Sequence, residues 1–122
     1  MTDKQDTFRA GVEQFNQKQF FECHDTWESI WMESKGEEKL FLQGLIQIAV
    51  GYFHASNGKY HAAISQFSKG IAKVSSLPPN YYGVKAENLL LSATSHAAAC
   101  EAIISGKVTL LDSYTIPQIQ FS

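Results

Sequence analysis

Apolar residues recur along this chain at the three- and four-residue spacing of amphipathic helices, broken by short polar stretches. The spacing predicts a first helix from about Asp6 to Phe15 or Asn16, with Phe8, Val12 and Phe15 on one stripe and Asp3 or Asp6 as its cap. After the turn Asn16-Gln17-Lys18, a second helix runs from about Gln19 to Ser34 and Gly36 ends it. A third, from about Glu37 to Ser56, carries no charge between Lys39 and Lys59 and is apolar over close to half its circumference (Phe41, Leu42, Leu45, Ile46, Ile48, Ala49, Tyr52, Phe53), so it is the central helix. Gly44 and Gly51 inside it predict a neighbouring helix packed close on that side. The fourth helix runs from about Tyr60 to Ser75 and stops before Pro78-Pro79; the fifth runs from about Lys85 to Ser105 and closes at Gly106. The tail from Lys107 to Ser122, with Leu110, Leu111, Ile116, Pro117 and Ile119, is expected to lie extended over the bundle.

The fold class that follows is all-α. Residues 1–122 form a single helical domain, a compact bundle of about five helices built from two antiparallel hairpins, a C-terminal helix and an extended tail. A weak internal repeat at an offset of forty residues supports the two hairpins: Gly11 matches Gly51, Phe20 matches Tyr60, Cys23 matches Ala63 and Trp27 matches Phe67.

Composition changes this picture little. A net charge of −2, from ten basic and twelve acidic residues with no basic cluster, speaks against nucleic acid or an anionic membrane as partner. No stretch reaches the ~20 apolar residues that cross a bilayer, and the polar N-terminus lacks a signal-peptide core, so the expected location is the cytoplasm. In that reducing compartment Cys23 and Cys100 are read as two buried thiols.

The candidate chemistry lies in the second and third helices. On a helical wheel Phe20, Phe21, Cys23, Trp27, Ile30 and Trp31 form a wide apolar arc, and His24 and Glu28 fall inside it, one turn apart. If the next helix packs antiparallel, Gln47 and His54 complete a buried cluster of imidazole, carboxylate, amide and imidazole. Three readings are open to that set: a structural hydrogen-bond network, a divalent metal such as zinc or iron held by His24, Glu28 and His54, or proton transfer by a buried Glu28 beside His24. Gln47 and Trp31 are then the candidate ligand-binding residues.

Phe15-Asn16, Phe20-Phe21-Glu22, His24-x-x-x-Glu28-x-x-Trp31, the run Phe41 to Val50 and His54-x-x-x-Gly58 together resemble domain-of-unknown-function family 309, over roughly residues 8 to 75. The stretch Gly58 to Phe67 is also similar, more weakly, to a tetratricopeptide-type hairpin. The first resemblance implies an all-helical fold without an established activity, and a metal-binding role suggested for the motif, which would fall on His24 and Glu28 with Trp31 packed beside them. The function expected is thus binding of a metal ion or small ligand at the cluster. The competing expectation is a protein-interaction or dimerisation module, with a homodimer or partner face involving Tyr81, Tyr82 or the tail, in which the cluster is architectural.

Overall fold

The computed structural model describes residues 3–107, 116 and 118–122. Among these, five α-helices follow one another: α1 (Lys4–Asn16), α2 (Phe20–Trp31), α3 (Gly36–Ser56), α4 (Tyr60–Ser75) and α5 (Glu87–Ile104). Two short strands, β1 (Val84–Lys85) and β2 (Gln120–Phe121), pair antiparallel with Val84 opposite Phe121. No helix among the described residues is long and apolar enough to cross a membrane.

Each helix packs chiefly on its neighbour in sequence, and α3 is the centre. Its buried side chains Phe41, Leu42, Leu45, Ile48 and Tyr52 meet Phe8 and Phe15 from α1, Trp27 from α2 and Phe67 from α4 in one core. Each such side chain contributes on the order of 1.5–3 kcal/mol by leaving water. The close neighbour that the glycines of α3 require is α4. A Cβ on Gly51 would stand 2.6 Å from Phe67 Cδ1, and one on Gly70 would stand 2.6 Å from the Gly44 carbonyl oxygen.

The two hairpins repeat each other in detail. Gln19 N–H donates to Gln14 O at 2.8 Å, and forty residues later Lys59 N–H donates to His54 O at 2.9 Å. Lys18, at φ 64°, occupies the left-handed turn position that Gly58 fills at φ 75°. Lysine has a Cβ to accommodate there and glycine does not.

Past α4 the chain turns through Pro78 and Pro79 into a short 3₁₀ turn, Tyr81–Gly83. Tyr82 is held at φ 58°, and its ring lies edge-on to Phe8 with centroids 4.8 Å apart. The tyrosine pair closes one end of the core, with Tyr81 against Phe41 at 5.1 Å. At the opposite flank Tyr52 bonds to Ser92 Oγ at 2.9 Å, and burial pushes its hydroxyl up to about 12.

Three expectations change. α2 ends at Trp31, three residues early, and Gly36 at φ 61° begins α3 rather than closing α2. The intervening Ser34 is buried, with Oγ 2.7 Å from both Ile30 O and Glu38 Oε1. Asn16, expected only to open the turn between the first two helices, grips the tail: its amide donates to Ile119 O at 3.2 Å and accepts from Ile119 N–H at 2.7 Å. Ile119 is buried and the tail lies extended there, while Leu110, Leu111 and Pro117 fall outside the described residues.

Candidate functional site

α2 buries a narrow stripe, Phe20, Cys23, Trp27 and Ile30, because α1 and α3 cover one side of it only. His24 and Glu28 sit at the edge of that stripe. The His24 side chain is 29% exposed and that of Glu28 49%, so the expected burial of Glu28 is not found. Cys23 is in the core, where burial pushes its thiol far up and keeps it protonated. Cys23 and Cys100 are both free and buried.

The i, i+4 spacing nevertheless produces its contact. His24 Nε2 lies 3.0 Å from Glu28 Oε2, and Nδ1 lies 3.4 Å from Asp25 Oδ1. Both ring nitrogens therefore face carboxylates, and the pair fixes the plane of the ring. In water-exposed surroundings such a contact contributes at most about 1 kcal/mol.

Beside this ring, α2 and α3 border an open cavity of about 180 Å³ lined by Phe20, Phe21, His24, Val50, Phe53 and His54, with Phe21 55% exposed at its mouth. Its surface is almost wholly carbon. His54, from the last turns of α3, stands against Phe53 at 5.9 Å, and its Nδ1 is buried with no hydrogen-bond partner among the described residues. The antiparallel packing of α2 on α3 thus brings His24 and His54 to one cavity.

The other proposed members are placed elsewhere. Glu28, Gln47 and Trp31 do not line the cavity. Gln47 Oε1 and Trp31 Nε1 are each buried without a partner among the described residues, and Lys39 Nζ lies 4.4 Å above the Trp31 ring. No group of three or more His, Cys, Asp or Glu among the described residues is arranged to hold a metal ion. The set His24, Glu28 and His54 offers one imidazole–carboxylate pair and a separate imidazole.

Sequence reasoning passed over Phe20, Phe21, Val50 and Phe53 as cavity walls. An aromatic on a helix looks the same on the wheel whether it fills a core or borders a gap. It also passed over Glu38, which Lys4 Nζ meets at 2.7 Å and whose carboxyl is held low by Lys4 and Ser34.

Fold and site together define a five-helix bundle with a small two-stranded sheet and an apolar cavity, walled in part by two histidines, between its second and third helices. Over residues 8–66, from α1 into α4, the chain matches the family model of DUF309, a domain of unknown function. The matched span holds the His24-x-x-x-Glu28-x-x-Trp31 motif and every residue of the cavity. No curated protein matches the chain.

Proposed function

We propose that this protein binds a small apolar ligand in the α2–α3 cavity, with the rings of His24 and His54 among its walls. The observation that carries the reading is the cavity itself: about 180 Å³, carbon-walled, with two imidazoles in its lining. By volume it has room for a molecule of about benzene size, which fills an enclosed apolar cavity of about 150 Å³. A metal ion has less to hold it here, since no group of three or more His, Cys, Asp or Glu among the described residues is arranged around one point.

The test is a ¹H–¹⁵N titration of the untagged protein with phenol, paired with elemental analysis. Shifts centred on Phe21, Val50 and Phe53, lost in Val50→Phe, support the reading. Near one metal per chain, absent from folded His24→Ala and His54→Ala, would replace it with a metal site. Neither response would move the function to the surface.

A second reading rests on two side chains beside this seam. Phe21 on α2 is 55% exposed, and Met32, which caps the end of α2, is 69% exposed. These fit a face that meets a second copy of the chain, and sedimentation equilibrium of the parent against Phe21→Glu tests it: a dimer in the parent alone supports the face.

A further inference from the structure

A larger cavity, about 520 Å³, lies where α4 ends, the proline loop turns and α5 begins. That volume is within the ~300–1,000 Å³ of small-molecule sites. Val74, Leu77, Pro78 and Leu90 supply apolar lining. The polar lining is of another kind than that of the α2–α3 cavity. It includes three amide side chains, Asn80, Asn88 and Gln120, with one cation, Lys85, and one anion, Glu87. Each amide both donates and accepts, whereas the two charges oppose one another in their effect on any ionic guest.

We propose that this cavity is a second ligand site, for a small uncharged amphiphile: an apolar body with a head bearing hydroxyl or amide groups. The apolar lining accounts for the body, and the amides match a head that donates and accepts at once. An ionic head gains from one of Lys85 and Glu87 and loses to the other, so charge is not selected.

One wall of the site depends on the tail. Gln120 is the β2 partner of Lys85, and both border the cavity. β2 is held in place by Asn16, which clamps the Ile119 backbone, and by Ser122 N–H donating to Gly83 O at 2.8 Å. A ligand that touches Gln120 binds more tightly when β2 is docked, and by linkage it strengthens that docking by the same factor.

The experiment titrates the full chain, by ¹H–¹⁵N NMR, with octyl-β-glucoside below its micelle concentration, and with octanoate and octylammonium as ionic counterparts. The expected result is shifts across Leu77–Leu90 and at Gln120 and Phe121, with the glucoside at least about five-fold tighter than either ion, a difference of about 1 kcal/mol. Amide exchange at Ser122, whose N–H donates to Gly83 O, should slow on binding, and Asn16→Ala should weaken binding by about three-fold or more. Shifts confined to the α2–α3 cavity, or none up to millimolar glucoside, overturn the site. An ion binding as tightly as the glucoside overturns the ligand class. Undiminished affinity in Asn16→Ala overturns the coupling to the tail; should that variant fail to fold, Gln120→Ala, altered at an exposed position, reads the same contact.

Discussion

Trp27 donates its indole N–H to the carbonyl oxygen of Phe8 at 3.1 Å, across a space that exists because residue 11 is glycine. A Cβ on Gly11 would run into the indole, with Trp27 Cε2 at 2.8 Å. Gly51 and Phe67 stand in the same relation one hairpin later. Gly11→Ala is therefore expected to cost about 2 kcal/mol or more, since the rigid indole has both a bond and a packed ring to give up. Urea unfolding monitored by tryptophan fluorescence measures it, and a cost below about 0.5 kcal/mol would show that the indole can shift freely.

Lys18 holds a left-handed backbone that its counterpart Gly58 adopts without strain. Lys18→Gly relieves a conformation costing about 1–2 kcal/mol but adds freedom to the unfolded chain, worth about 0.4–1 kcal/mol the other way. The net expectation is a gain of up to about 1 kcal/mol in chemical denaturation, with the helices unchanged by circular dichroism.

Asn16 makes two hydrogen bonds to one residue 103 positions away. Asn16→Ala removes both and leaves the Ile119 N–H and carbonyl to find water, a loss of about 1–3 kcal/mol. Amide exchange localises the effect: Ile119 should lose protection while Ala49 in the centre of α3 keeps it.

His24→Ala tests how much the imidazole–carboxylate contact contributes to the fold. Because Glu28 is half-exposed, its carboxylate stays solvated when the ring is gone, and the expected cost is under about 1 kcal/mol. A loss of several kcal/mol would mean that the ring is an architectural post, which its position at the edge of the buried stripe does not provide for.

His96 is buried against Tyr52 at 5.0 Å, and burial holds its imidazole below the usual value of 6.5, partly offset by its contact with the Ser92 carbonyl. The folded value being the lower one, the unfolded chain takes up the proton first. Stability is full above about 6.5 and declines as pH falls through that value toward the folded one. Urea midpoints between pH 7.5 and 5.5 should show the decline, reduced in His96→Phe. Glu38, whose carboxyl is held low, adds a separate loss below its ordinary value of 4.5.

The sequence by itself determined the helices, their order and the two-hairpin repeat, because hydrophobic spacing and turn chemistry are local. Glycines at residues 44 and 51 marked a close approach before any neighbour was known, since an interior glycine in a helix is costly unless something fills its place, and the repeat paired Gly11 with Gly51. The contact of His24 with Glu28 was legible for the same reason: four residues make one helical turn.

Tertiary structure alone decided how much of each helix is covered. A wheel gives the direction of Glu28 but not where α1 and α3 stop, and it is that margin which leaves the carboxylate in water. It also brought His54 to the cavity of His24 while leaving Gln47 and Trp31 outside it. The clamp of Asn16 on Ile119 spans nearly the whole chain, and the larger cavity is bordered by α4, α5 and the tail together. Such relations depend on where separate elements come to rest against each other, which no spacing along a single helix encodes.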